Sequence, residues 1–330
     1  MSYSIRAESR GGGTVYLLGD TATGASASIL PSYGFNLFDL RLPLAGQPRR
    51  VVVAGDGWED APDRPARNGV PILFPYPGRI RDACYTFGGK EFRLPATKPP
   101  HAIHGFAHEA SWEVVAHEVG AAGATITGRL QLSKQVPAMA PLWPTDAVLE
   151  VTYTLAGRRL RMDIAVSNPT DAPLPFGFGI HPYFRLPFEP GGDPRRTLIV
   201  APASECWVLS ESLPTGERRP VGERHDFRRG RPMSDVQVDD VLTGLEFAGD
   251  GCTCRLIDEA LGAEFRLEFD RAFRELVVFT PPGPGGVIAV EPYTQVPDAI
   301  HLQAQGIDAG LRVLAPGQRA DLAIAMESSG

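Results

Sequence analysis

Hydrophobic and polar residues alternate with period two along much of this chain. The clearest run is 147–155, where Ala147, Leu149, Val151, Tyr153 and Leu155 face one way and Glu150, Thr152 and Thr154 the other. After Ala156 and Gly157 the pattern resumes with Leu160, Met162, Ile164 and Val166 against Arg159, Arg161, Asp163 and Ser167, which predicts a hairpin with one buried face. The same alternation marks Ile126, Leu130 and Leu132, then Phe265, Leu267 and Phe269, and also Phe38, Leu40 and Leu42. No segment sustains the helical period of about 3.6 residues. The crossover helices that parallel strands require are therefore missing, and the expected fold is all-β, a large antiparallel β-sandwich.

Composition narrows the picture. The 330 residues are 43% hydrophobic and 22% charged, enough for a substantial core, and 36 Gly and 31 Pro punctuate the short runs. No repeat of propeller or solenoid length is visible. The Gly-, Pro- and Arg-rich stretches 56–68, 188–196 and 214–232 read as long loops, because alternating strands resume on both sides, so residues 1–330 are taken as a single domain. Lys and Arg total 32 against 39 Asp and Glu, a net charge of -7, which argues against nucleic-acid and anionic-membrane partners and favours a small ligand. The N-terminal segment lacks the apolar core of a secretory signal, and no run approaches the roughly 18 apolar residues of a membrane span, so a cytoplasmic location is expected. Cys84, Cys206, Cys252 and Cys254 are too sparse for a disulfide framework; Cys252 and Cys254, on one strand face, read as small buried hydrophobes.

Four segments carry candidate chemistry. In NGVPILFPYPGRIRD, residues 68–82, an apolar run enters a turn of Pro75, Pro77 and Gly78 and delivers Arg79. That guanidinium can donate to sugar hydroxyls or phosphate, or pair on the surface with Asp82. In HAIHGFAHE, residues 101–109, three histidines cluster, but Gly105 and a β-type flank oppose a helix, and His101 and His104 point to opposite faces of an extended chain. A metal site would need loop geometry that this pattern does not supply, so none is expected. In FGFGIHPYFRLP, residues 176–187, His181 stands at a strand end beside Pro182. It reads as a satisfied structural residue or as a general acid with an ordinary pKa of about 6.5. In GGVIAVEPYTQVPDAIHL, residues 285–302, an apolar run leads to Glu291, with Pro292 expected to end regular pairing. A carboxylate there needs a partner or a task, and loop-capping and catalytic readings both stand.

Taken in order, NGVPILFPYPGRI, IHGF, GIHPYF and VEPYTQVPDA resemble the aldose 1-epimerase (galactose mutarotase) family over residues 68–299. The resemblance implies a galactose mutarotase-like supersandwich, monomeric or homodimeric, that binds a monosaccharide in an open cleft and interconverts its α and β anomers without a cofactor. On matching positions it implies His181 as general acid, Glu291 as general base, and Arg79 and His104 as holders of sugar hydroxyls. Asp239, in QVDDVL, resembles the family's substrate-binding aspartate, with Asp240 as the alternative, while His101 and His108 are left as bystanders. Opening a cyclic hemiacetal removes the proton of the anomeric hydroxyl and delivers one to the ring oxygen, which Glu291 ionised and His181 protonated near neutral pH would accomplish. Two departures bear on the substrate. Gly78 stands where galactose-type enzymes commonly carry Asn. HGFAHEASWEV is similar to the hexose-6-phosphate mutarotase branch, whose dianion calls for cations such as Arg67, Arg79 and Arg81. A non-catalytic sugar-binding or regulatory protein on the same fold, and a glycoside hydrolase using Asp239 and Glu291 at roughly 5 to 9.5 Å, are the competing readings.

Overall fold

The computed structural model describes residues 2–282 and 286–329. Its larger sheet has 13 strands. From one edge they run Tyr3–Arg10, Gly13–Asp20, Ala25–Leu30, Asn36–Leu44, Gln47–Val52, Tyr183–Arg185, Val287–Tyr293, Glu275–Phe279, Asp239–Leu245, Ala203–Ser210 and Leu213–Pro220. The short strands Ile72–Leu73 and Gly179–Ile180 join beside Tyr293. The second sheet has 9 strands and contains the predicted hairpin, Val148–Ala156 paired with Arg159–Ser167, flanked by Gly123–Gln131 and Arg319–Ser329. Pairing within both sheets is antiparallel. This is the galactose mutarotase-like β-sandwich that the alternation and motifs predict.

The core lies between the inner faces. Leu149, Val151, Tyr153 and Leu155 are buried while their alternating neighbours are half-exposed, so period two translates directly into burial. Phe184 of the larger sheet meets Phe265 of the smaller with ring centroids 5.0 Å apart, and Phe35 stacks on Tyr153 at 5.3 Å. Each such ring contributes about 1.5–3 kcal/mol relative to exposure. Cys252 and Cys254 are free and buried in the same core.

Three local expectations are corrected. Phe38 does not share a face with Leu40 and Leu42: opposite Ser28 and Ile29 the register skips it, and this bulge turns its ring onto Trp58 in a separate cluster. Leu132 is buried but opens a one-turn helix, Leu132–Gln135, rather than continuing the strand. Part of the predicted 214–232 loop is the edge strand Leu213–Pro220, whose residues beyond Pro214 are exposed or half-exposed and so show no apolar alternation to announce it. Among the described residues, no helix is long and apolar enough to cross a membrane.

Candidate active site

The four motifs are zipped together by backbone pairing. Ile72–Leu73 pairs with Gly179–Ile180, Gly179 also pairs with Tyr293, and Ile103 lies opposite Arg79. Gly179 is required by close approach: a Cβ there would lie 2.5 Å from the Tyr293 ring. Gly105 has φ 70°, and a Cβ on it would fall 2.2 Å from the Phe74 carbonyl oxygen, so the chain after His104 can close onto Phe74 only without a side chain. His104 itself is held at φ 67°, an uncommon conformation for a non-glycine residue, of the kind that collects at functional sites.

These segments line a cleft of about 850 Å³ beside the larger sheet, within the range of small-molecule sites. His181, Glu291, Arg79, His104 and Asp239 all line it. His181 Nε2 lies 3.2 Å from Glu291 Oε1, and the Tyr293 hydroxyl donates to Glu291 Oε2 at 2.6 Å. The His181 ring stacks on Tyr183 at 4.8 Å and meets His104 and Phe279 edge-on, each at 5.7 Å. Phe279 and Tyr183 therefore wall the imidazole in. His104 Nδ1 accepts from the Gly78 N–H at 3.3 Å, which leaves Nε2 to carry the proton and act as a donor.

Burial opposes the ionisation expected of this pair. Burial raises the Glu291 carboxyl well above its usual range, against the opposing Tyr293 hydrogen bond, and burial pushes His181 down to about 3. Both shifts favour uncharged partners. A neutral acid beside a neutral imidazole holds the same number of protons as carboxylate beside imidazolium, so the two arrangements are tautomers across one contact. His104 is likewise driven well below its normal pKa by burial, then by His181, and is a neutral donor.

Arg79 does not pair with Asp82; its guanidinium donates to the Ser212 carbonyl at 3.2 Å. Asp239 opens onto the cleft, with Arg79 and Lys98 countering the rise that partial enclosure causes in its pKa. Asp240, one residue on, points to the opposite face and meets His225 at 3.3 Å, which decides between the two aspartates by strand alternation. Arg81 is excluded from the cleft: its backbone N–H and Nε both donate to the buried Asp298 carboxylate, at 3.0 and 3.2 Å. His101 accepts from the Asp82 N–H, away from the site. His108, read as a bystander, does not line the cleft. It is buried edge-on to His104, with ring centroids 6.3 Å apart. Among the described residues, no group of three His, Cys, Asp or Glu side chains is placed to hold a metal.

The aldose 1-epimerase family profile matches residues 15–327. The chain belongs to this family. Escherichia coli YihR is 34% identical over 172 residues, covering 51% of this chain and 52% of that protein. E. coli YphB is 25% identical over 175 residues, covering 52% and 54%. The chain thus spans about half the length of these curated relatives in the matched region. Among solved structures, a galactose mutarotase-like protein from Clostridium acetobutylicum superposes with a TM-score of 0.88 at 20% identity, covering 100% of this chain and 99% of that one. Galactose 1-epimerase from Lactobacillus acidophilus gives 0.73 at 16% identity, with 96% and 94% covered. At those identities the likeness is one of fold.

In this aldose 1-epimerase family member, sequence reasoning singled out His181 and Glu291 but passed over Tyr183, Arg185 and Tyr293, which line the same cleft. The signal was present: each lies two or four residues from His181 or Glu291, hence on the same strand face. Lys98 and Ser212 come from loops, where no periodicity announces them.

Proposed function

We propose that this protein is an aldose 1-epimerase that interconverts the α and β anomers of a hexose or related aldose by general acid–base catalysis. The observation that carries the reading is the 3.2 Å approach of His181 Nε2 to Glu291 Oε1 on the wall of an open cleft. Acid and base stand side by side, which suits the anomeric hydroxyl and the ring oxygen because both are bonded to one carbon.

The closed sugar is bound by the ionic tautomer. Its anomeric O–H donates to the Glu291 carboxylate, and its ring oxygen accepts from the His181 imidazolium. Those two hydrogen bonds favour charges that burial opposes, each pKa unit being worth about 1.4 kcal/mol. Glu291 then takes the hydroxyl proton as His181 delivers its own to the ring oxygen, the C1–O5 bond breaks, and an aldehyde faces the neutral tautomer. Rotation about C1–C2 presents the other carbonyl face. Closure runs the transfers backwards, so the proton count of the site is unchanged over a turnover. Each positioned transfer contributes about 10²- to 10⁴-fold. Arg79, Asp239 and the His104 Nε2–H hold ring hydroxyls and restrain the sugar so that only the anomeric centre moves.

Polarimetry or NMR anomer exchange on freshly dissolved aldoses tests the reading. Equilibration faster than buffer, lost in Glu291→Gln, supports it. Sugar binding without any acceleration would make this a binding protein on the same fold.

A further inference from the structure

Asp298 carries a carboxylate that the acid–base chemistry does not use, and its side chain is wholly buried. A buried carboxylate is costly unless it has a partner or a task. Asp298 is also held at φ 62°, a left-handed conformation uncommon for a residue with a side chain and of the kind that collects at functional sites. It precedes the short helix Ala299–Ala304, where an aspartate ordinarily accepts from the first helical N–H groups, yet its side chain makes no such cap. The carboxylate is turned instead onto the segment that carries Arg79.

Its backbone and side chain hold that segment together. The Asp298 N–H donates to the Arg79 carbonyl at 2.8 Å. Oδ1 accepts from the Arg81 N–H at 3.0 Å, and Oδ2 from Arg81 Nε at 3.2 Å. The two peptide groups that follow Arg79 are thereby fixed by one residue. His301, inside the helix, places Nδ1 2.6 Å from Oδ1 and fixes the carboxylate in turn. Ahead of Arg79, Pro297 packs so closely on Gly78 that a Cβ there would fall 2.5 Å from the proline ring, while the Gly78 carbonyl accepts from the His104 N–H at 2.9 Å. Residues 78–81 are thus clamped between His104 and Asp298. From this clamp the Arg79 side chain extends along the cleft to donate to the Ser212 carbonyl at 3.2 Å. So long and flexible a side chain finds one place only if its base is fixed, and a misplacement of about 1 Å can cost about 10²-fold.

Resting on the epimerase reading of the cleft, we infer that Asp298 is a positioning residue for Arg79. Asp298 does not line the cleft and does not meet the sugar. It sets the affinity for ring hydroxyls by fixing the backbone from which Arg79 reaches them.

A double-variant cycle on the KM of anomer exchange tests this. Asn and Gly both tolerate a positive φ, so neither replacement adds backbone strain at 298. Asp298→Asn keeps an acceptor for the Arg81 N–H and loses the charge; Asp298→Gly loses both. The glycine variant is expected to raise KM by about tenfold and the asparagine variant by about threefold, each with kcat within about threefold of native. In an Arg79→Ala background neither should raise KM further, because both changes act through the same contact. Native KM in both variants, matched losses of kcat and KM, or an effect that adds to that of Arg79→Ala would each overturn the proposal and leave Asp298 a purely structural residue. Should Asp298→Gly not fold, Asp298→Asn carries the same cycle. If the native protein accelerates no sugar, the epimerase reading falls on its own, and a crystal structure of either folded variant then decides: Arg79 parted from Ser212 supports the positioning role, and Arg79 in its native place overturns it.

Discussion

His181 and Glu291 occupy opposing positions across two antiparallel strands. Gly179 pairs with Tyr293 and Tyr183 with Ala289, and counting inward from either pair places His181 opposite Glu291. Between those anchors the ladder carries two prolines, Pro182 and Pro292, neither of which has an N–H to donate. The interruption lies on one flank only. On the other, the Glu275–Phe279 strand continues past Glu291, with Leu276 opposite Pro292, so the expected end of pairing at Pro292 is half of what occurs. Glu291 is held opposite Val277 in that strand, and the His181 N–H donates to the Pro71 carbonyl at 3.0 Å.

This placement separates chemistry from binding. Glu291→Gln keeps the shape and removes the base, so kcat should fall by about 10²- to 10⁴-fold with KM changed little. Arg79→Ala should mainly raise KM. Steady-state kinetics on both variants check the division, and matched losses of kcat and KM in both would indicate a collapsed site.

Tyr293 fixes the second oxygen of Glu291 through its 2.6 Å hydrogen bond. Removing a hydrogen bond to a charged group costs about 1.5–3 kcal/mol. Tyr293→Phe is therefore expected to lower kcat by about 10- to 100-fold and to move the alkaline limb of the pH profile upward, since the bond favours the carboxylate. An unchanged limb would mean that the hydroxyl does not act on Glu291.

The pH profile itself is informative. The active pair holds one proton; a second is gained only as pH falls toward the His181 value of about 3, and the one is lost only as pH rises through the elevated Glu291 value. The kcat/KM plateau should therefore extend on both sides beyond the window of about 4.3 to 6.5 that an unperturbed Glu–His pair would give. Activity confined to that window would show that burial does not govern the pair.

A second buried carboxylate, Glu275, lies opposite Tyr293 and accepts from Trp207 Nε1 at 2.8 Å. Burial raises its pKa to about 7, so the folded state holds a proton that the unfolded chain releases near 4.5. Stability from this group is complete below 4.5 and is lost as pH rises through 7, about 3 kcal/mol in all. Glu275→Gln, neutral at every pH, should melt at a higher temperature than the native protein at pH 8, with the gain fading by pH 5. Thermal melts at the two pH values check the sign.

The strands were legible where one face is buried: 147–155 and 159–167 announced a hairpin because period two sets which residues meet water. They were illegible at the edge strand Leu213–Pro220, which buries only Leu213 and Pro214, and at Phe38, where a bulge flips the alternation. The site divided in the same way. Residue types and motif order were enough to nominate His181, Glu291, Arg79, His104 and Asp239, because acid, base and donor chemistry resides in the side chain. Which aspartate faces the cleft, that Arg81 is spent on Asp298, and that Tyr183 and Tyr293 line the cleft beside His181 and Glu291 were decided by the fold. The sequence alone determined the candidate acid, base and donors. Only the tertiary structure decided their company, because register brings His181 across from Glu291, more than a hundred residues away in the chain, and packing buries both.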